Sequence, residues 1–199
     1  MLKRFFLLVF VLLGLAACAG ESKWAPDDDV IRASYAAPGP SKLTLFTVIN
    51  VRTGQGGHSA LMVSAPSQRV LFDPAGSFHH PRLPERNDVI YGMTDPAVDF
   101  YIDYHSRKSW RVVRQDLVVP DAVAEQALRA VQAYGAVPKA HCANSITTIL
   151  KSLPGFEETK VTYFPVNLME QFARHPGVET SEFHDDDPDN NGEILARGV

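Results

Sequence analysis

The chain of 199 residues has few cysteines, no excess of positive charge and no visible internal repeat. Its two cysteines, Cys18 and Cys142, are too few for a disulfide framework and lack the clustered spacing of a zinc site. Lysine and arginine number 19 against 23 aspartate and glutamate residues, so the net charge of −4 offers no basic surface for nucleic acid. The hydrophobic content of 45% is instead typical of a single globular domain.

The amino-terminal segment has the pattern of an export signal. An apolar run at residues 5–13 follows Lys3 and Arg4, and it is shorter than the roughly 20 residues that span a bilayer. The segment LAAC that ends at Cys18 resembles the lipobox of bacterial lipoproteins. That resemblance implies a signal peptide of residues 1–17, cleavage before Cys18, and acylation of its thiol and of the new amino group.

The acylated Cys18 is the membrane contact expected of this chain, because two or more acyl chains hold a protein stably at a membrane. Ala19, rather than an aspartate, follows it. Resemblance to enterobacterial sorting rules therefore favours the outer membrane, facing the periplasm. Residues 18–41 are rich in acidic residues, proline and glycine, which predicts a tether without secondary structure. We therefore expect a lipid-anchored protein of the bacterial cell envelope.

The folded domain is expected at residues 42–183. Residues 184–199 are acidic with little apolar content, and they predict a solvated tail. Within that tail, residues 187–192 match the first half of an EF-hand calcium loop, but Gly198 replaces the bidentate glutamate of its twelfth position. We therefore expect neither a metal ion nor a cofactor.

The domain is predicted to have an α+β fold, an antiparallel sheet packed against helices. Residues 43–51 include apolar residues at both odd and even positions, which favours a central strand with both faces covered. A hairpin with its turn at Pro66-Ser67 follows at residues 58–73. The remaining predicted elements are a strand at residues 110–119 and helices at residues 96–104, 120–134, 141–153 and 163–172.

Residues 74–109 are predicted to form a long loop over the functional site, because apart from the short helix their periodicity is weak. The loop is rich in glycine, proline, aspartate, histidine and tyrosine. Five of its aromatic residues are candidates to line a substrate cleft: Phe78, Tyr91, Phe100, Tyr101 and Tyr104.

The hairpin register brings two polar side chains together. A turn centred on Pro66-Ser67 pairs Ala60 with Asp73, which makes His58 and Asp73 diagonal neighbours on one face. A register shifted by one residue would separate them. The proximity of His58 and Asp73 therefore depends on the turn.

Cys142 is a candidate nucleophile. It lies in the first turn of the helix predicted at residues 141–153, where free N–H groups and the positive end of the helix dipole stabilise a thiolate. It also lies on the apolar stripe of that helix. The alternative interpretation is a small hydrophobic residue that fills the core between helix and sheet.

His58 is the candidate general base for the Cys142 thiol, and Asp73 is the candidate orienting group. A single structural hydrogen bond is the alternative interpretation of His58, and a strand-ending cap is that of Asp73. The orienting group could also come from the adjacent His79 and His80. His141 points about 100° away from Cys142 around the helix and is not the expected base.

Three segments together resemble a family. GHSALMV at residues 57–63 on a strand, a second strand ending at Asp73, and HCANS at residues 141–145 opening a helix resemble the circularly permuted NlpC/P60 branch of papain-like cysteine hydrolases. That branch includes lecithin:retinol acyltransferase-like proteins and YiiX/YaeF-like bacterial lipoproteins. In the ordinary branch the cysteine helix precedes the histidine strand, whereas here His58 comes first. The resemblance spans about residues 43–153.

The resemblance implies a papain-like arrangement with Cys142 as nucleophile, His58 as base and Asp73 as orienting residue. The reaction is acyl transfer to water through a thioester, without a metal ion, and the backbone N–H of Cys142 is the natural oxyanion donor. Since an envelope enzyme meets peptidoglycan stem peptides and lipids, the first expectation is a peptidase or amidase that cleaves a stem-peptide amide bond. The alternatives are a lipid acyl hydrolase or acyltransferase, and a non-catalytic lipoprotein that binds peptidoglycan or a protein.

Overall fold

An antiparallel sheet of seven strands organises the chain in a computed structural model that describes residue 20 and residues 22–197. The signal peptide predicted at residues 1–17, the lipobox Cys18 and Gly198 lie outside the described residues. Among the described residues no helix has both the length and the apolar content to cross a bilayer. The predicted α+β class, an antiparallel sheet with helices, is confirmed.

Thirteen helices and strands make up the part of the chain that the structure describes. In chain order they are α1 (Asp27–Arg32), β1 (Lys42–Asn50), β2 (Gly56–Ser64), β3 (Arg69–Phe72), β4 (Glu85–Arg86), β5 (Val89–Ile90), α2 (Asp95–His105), β6 (Trp110–Val118), α3 (Asp121–Tyr134), α4 (Cys142–Lys151), α5 (Pro165–Phe172), β7 (Glu179–Phe183) and α6 (Asn191–Arg197). The strand order in the sheet is β4-β5-β3-β2-β1-β6-β7.

Strand β1 lies inside the sheet, as its apolar pattern predicts. It pairs antiparallel with β2 on one side and with β6 on the other. Leu43 and Leu45 of β1 face one core cluster, and Phe46 and Val48 face a second. Both faces of the strand are therefore covered, which explains why it has apolar residues at both odd and even positions.

The β2–β3 hairpin has the predicted register. Leu61 pairs with Phe72 and Ser64 with Arg69, which is the alignment that a turn at Pro66-Ser67 requires. The side chains alternate between the two cores as expected, with Met62 and Leu71 in one and Val63 and Val70 in the other. The continuation of this register places His58 and Asp73 on the face of Met62 and Leu71.

Three helices cover one face of the sheet. The amphipathic α3 starts after Pro120, which suits a helix start, and ends at Gly135, whose φ of +89° favours glycine. Helix α4 buries Ile146, Ile149 and Leu150 against the same core. Helix α5 completes the layer with buried Leu168 and Phe172, also members of this core. The helices predicted at residues 120–134, 141–153 and 163–172 are thus present.

Residues 74–109 do not form the predicted long loop. Two short strands, β4 and β5, extend the sheet beyond β3, and α2 packs on the face opposite α3, α4 and α5. Helix α2 is the short helix predicted at residues 96–104, whereas β4 and β5 were missed because a strand of two residues is too short to show a periodicity.

The segment predicted as an unstructured tether, residues 18–41, is ordered where the structure describes it. Trp24 bridges to Arg86 of β4, whose guanidinium lies 4.7 Å from the Trp24 ring centre. The carbonyl of Tyr35 accepts a 2.6 Å hydrogen bond from the backbone N–H of Arg69. Local composition missed these contacts because they are made with strands that come later in the chain.

The acidic segment at residues 184–199 also differs from the predicted solvated tail. Asp187 accepts a hydrogen bond of 3.1 Å from the buried Arg107, and Asp189 caps the backbone N–H of Ser109 at 3.0 Å. Ile194 of α6 is only 1% exposed and belongs to the core that contains α2. Only Ile194 and the partly buried Leu195 of this acidic segment pack on that core, which is too little hydrophobic content for composition to reveal the docking.

We expect Ile194→Ala to lower the free energy of unfolding by about 2 kcal/mol, the lower end of the cost of truncating a buried isoleucine. The matched control is Val118→Ala, an exposed apolar residue at the end of β6, which should change stability by less than about 0.5 kcal/mol. Urea unfolding measures both values. Equal stability of Ile194→Ala and wild type would show that the segment is undocked in solution.

Candidate active site

Three side chains from distant parts of the chain meet at one end of β2 and β3. The Nε2 atom of His58 lies 2.7 Å from Oδ1 of Asp73. The Cys142 thiol lies close enough to the His58 ring for the two groups to shift each other's pKa. Because Nε2 faces Asp73, the second ring nitrogen, Nδ1, is left for Cys142. The chain therefore contains a continuous sulfur–imidazole–carboxylate relay.

Secondary structure fixes each member of this relay. His58 is the third residue of β2, an interior strand held between β1 and β3. Asp73 directly follows β3, so the hairpin register decides which face of the sheet its side chain occupies. The residue is 3% exposed. Cys142 is the first residue of α4, which packs against β2. The predicted proximity of the two hairpin residues is found, and α4 adds the thiol.

The Cys142 thiol lies in surroundings that favour its ionised form. Burial raises its pKa, but hydrogen bonding and the positive charge of His58 lower it, as do the backbone N–H groups of Ser59 and Ala143. The balance is a pKa below the ordinary thiol value. Free N–H groups in the first turn of α4 act in the same direction.

His58 is held in its protonated form. Burial by itself lowers the pKa of His58, but the adjacent Asp73 carboxylate and the Cys142 sulfur raise it to about 10. Burial raises the pKa of Asp73, but the charge of His58 and its hydrogen bond lower it by more. The pKa of Asp73 is therefore below the ordinary carboxyl value. At neutral pH the charged His58 therefore lies between the Asp73 carboxylate and a Cys142 thiol whose lowered pKa favours ionisation.

The other histidines considered as site residues lie elsewhere. His79 is exposed and its Nδ1 lies 3.2 Å from the carbonyl of Ser77. His80 accepts from the backbone N–H of Arg82, and His141 meets the ring of Tyr163 edge-on at 5.1 Å. Asp73, rather than His79 or His80, is therefore the group next to His58.

Sequence reasoning missed His105, the last residue of α2. Its ring stacks on His58 with 5.9 Å between the ring centres, and its Nδ1 is 2.9 Å from the carbonyl of Tyr101. Burial lowers the pKa of His105 to about 4, so its ring is neutral beside the charged His58. The signal that could have identified it is its spacing from Tyr101, four residues earlier on the same helix face.

The aromatic residues proposed as cleft walls are mostly packed inside the protein. Phe78, Tyr91, Tyr101 and Tyr104 are each less than 9% exposed, and only Phe100 is partly accessible. Phe78 lies edge-on to Tyr101 and Tyr104 at 5.0 and 5.2 Å between ring centres. The expectation that they line a cleft is therefore wrong for these four, whose burial stabilises the core beneath the site.

A cavity of about 290 Å³ opens beside His58. Its wall includes the polar residues Arg107, Asp189 and Asn191 and the aromatic residue Trp110. The carboxy-terminal segment thus contributes to the walls of the cavity. The lining residues are Val48, Gly57, His58, Ala75, Gly76, Ser77, His105, Arg107, Trp110, Asp189 and Asn191.

The chain was compared with protein-family models, with curated proteins and with solved structures. None of the three comparisons found a match.

We expect Asp73→Asn to lower the pKa of His58 from about 10, because the carboxylate that offsets the effect of burial is then lost and only Cys142 still raises it. Histidine-selective NMR titration measures this pKa. The control variant Asp28→Asn, at an exposed position of α1, should leave it unchanged. A pKa near 10 in Asp73→Asn would contradict this account of the site.

Proposed function

We propose that this chain is a lipid-anchored cysteine hydrolase of the cell envelope, with the papain-like, permuted NlpC/P60 arrangement, that cleaves an amide bond in peptidoglycan stem peptides. The observation that carries the proposal is the relay of Cys142, His58 and Asp73, whose ends are 69 positions apart in sequence. A thiolate at a helix start, next to an imidazolium held by a carboxylate, is a typical activated sulfur nucleophile.

The arrangement of elements supports the papain-like assignment. The cysteine begins a helix that packs on an antiparallel sheet, the histidine lies on an interior strand of that sheet, and the orienting residue follows the next strand. The histidine strand precedes the cysteine helix along the chain, which is the order of the permuted branch.

The geometry supports a two-step acyl transfer. The Cys142 sulfur attacks the carbonyl carbon of the substrate, and backbone N–H groups at the start of α4 stabilise the oxyanion. His58 passes its proton to the leaving nitrogen, and the carbon–nitrogen bond breaks to leave a thioester on Cys142. Neutral His58 then takes a proton from water, whose oxygen attacks the thioester and releases the acid and the Cys142 thiolate. Asp73 keeps the ring oriented in both steps.

The cavity beside His58 has polar residues on its wall that suit a peptide substrate. Arg107, Asp189 and Asn191 on its wall offer hydrogen-bond donors and acceptors, which an alkyl chain cannot satisfy. A peptide carries amide and charged groups that match such a lining.

A lipid acyl hydrolase or acyltransferase is the second candidate function, and one observation favours it. The loop before α5 exposes Val161, Tyr163 and Phe164, of which Phe164 is 66% exposed. Tyr163 contacts His141, the neighbour of Cys142, so this apolar loop lies near the nucleophile. Exposed aromatic side chains of this kind also suit contact with a lipid.

We expect iodoacetamide to alkylate Cys142 rapidly at pH 6 to 7, below the ordinary thiol pKa of about 8.5, because His58 holds the thiolate. His58→Ala should slow the reaction at pH 6 at least tenfold and move its pH profile upward. The control His79→Ala, at an exposed site, should react as wild type does. A thiol that reacts only after denaturation would support the non-catalytic alternative.

We expect purified protein to release a new amino group from peptidoglycan stem peptides, and Cys142→Ser to lower this activity by a factor of at least a thousand. Chromatography with mass spectrometry of the products measures the cleavage. Phospholipid and ester substrates, tested alongside, decide between the two candidate reactions. Release of fatty acid without peptide cleavage would replace the first candidate with the second.

We expect Cys18→Ser to abolish incorporation of labelled palmitate and to release the protein from the membrane fraction, since the acyl chains are the proposed anchor. The purified Cys18→Ser chain should alkylate at Cys142 as fast as wild type. Palmitate incorporation in Cys18→Ser would contradict the proposed site of lipidation.

A further inference from the structure

The Asp73 carboxylate has a second hydrogen-bond donor besides His58. The hydroxyl group of Tyr101 donates to Oδ1 of Asp73 at 2.8 Å, and Nε2 of His58 lies 2.7 Å from the same oxygen. Oδ1 of Asp73 therefore contacts hydrogen-bonding groups of two different elements, His58 of β2 and Tyr101 of α2. Hydrogen bonds to a charged acceptor are among the stronger ones in proteins.

Tyr101 is itself fixed in place. Its side chain is fully buried, and its ring packs against Phe46 at 5.3 Å, Phe78 at 5.0 Å and His105 at 4.3 Å between ring centres. Because the ring is held on several sides, its hydroxyl group has one available direction. The Tyr101–Asp73 contact is thus a rigid link between the α2 core and the relay.

The other oxygen of Asp73 is confined by the turn that follows β3. The backbone N–H of Gly76 donates to the Asp73 carbonyl at 3.0 Å, and a Cβ atom added at Gly76 would overlap with Oδ2. The preceding Ala75 has a φ of +57°, which folds the turn back over the carboxylate. The carboxylate therefore cannot rotate freely when the contact with Tyr101 is intact.

The charged and titratable groups around Asp73 come from several elements. His58 lies on β2, Tyr101 and His105 lie on α2, and Cys142 is the neighbour of His58 on α4. From the β4–β5 hairpin Glu85 and Asp88 add negative charge, and each interacts unfavourably with the Asp73 carboxylate. Tyr101 is the uncharged member of this set that donates a hydrogen bond to Asp73.

We propose that Tyr101 is a positioning residue that holds Oδ1 of Asp73 against Nε2 of His58 and so keeps Nδ1 of His58 aligned with the Cys142 sulfur. The effect of Tyr101 on catalysis rests on the proposed function. Its effect on the hydrogen bond between His58 and Asp73 does not depend on that function. Tyr101 acts through Asp73 and makes no step of the reaction itself.

The test compares Tyr101→Phe with Tyr104→Phe. Both tyrosines are buried on α2 and pack against Phe78, but the Tyr104 hydroxyl group lies 3.4 Å from Ser77 and not at the relay. Nitrogen-15 NMR of the His58 ring, assigned with His58→Gln, reports the protonation and hydrogen bonding of Nε2. We expect Tyr101→Phe to change these shifts and to slow alkylation of Cys142 about tenfold at pH 7, with Tyr104→Phe matching wild type.

A second variant displaces the same carboxylate without removing one of its hydrogen-bond donors. Gly76→Ala should displace Oδ2 of Asp73 and change the His58 shifts in a similar way. Thermal unfolding of each variant verifies that it is folded. Unchanged His58 shifts in folded Tyr101→Phe, or equal changes in Tyr104→Phe, would overturn the proposal. A wild-type Cys142 that does not react would refute the proposed function, while the NMR comparison would still decide the role of Tyr101.

Discussion

The hydrogen bond between His58 and Asp73 depends on the register of one hairpin. A turn of two residues at Pro66-Ser67 sets the pairing of β2 with β3, and the alternation of side chains then puts both residues on one face. A shift of one residue would turn Asp73 into the opposite core and leave His58 without its carboxylate. The chemistry proposed for Cys142 therefore depends on the backbone geometry of a hairpin that joins two residues fifteen positions apart.

Charge balance explains how the site, which is largely shielded from water, accommodates a charged His58 and Asp73 and favours ionisation of Cys142. Burial alone opposes the charge of Cys142, His58 and Asp73, yet each charge lies against one of opposite sign. His105 shows the opposite outcome, because burial keeps its stacked ring neutral. The two stacked histidines thus differ in charge: His58 is protonated and His105 is neutral.

Both ends of the described chain take part in the fold. The segment around Trp24 lies along β4, and the segment from Asp187 to Ile194 contacts the end of α2 and the cavity beside His58. Composition alone predicted a tether and a tail, because the first segment is rich in acidic residues, proline and glycine and the second is acidic with little apolar content. Their docking depends on a few contacts, such as that of Ile194 with the α2 core, whose partners are distant in sequence.

The sequence by itself determined the α+β class, the central β1, the hairpin register and the position of Cys142 at a helix start, because these follow from periodicity and turn residues over short ranges. Only the tertiary structure decided that α4 brings Cys142 to His58, that Tyr101 is buried against Asp73, and that His105 stacks beside the pair. The physical reason is distance along the chain. Local patterns fix which face a residue occupies, whereas packing between elements far apart in sequence decides which faces meet.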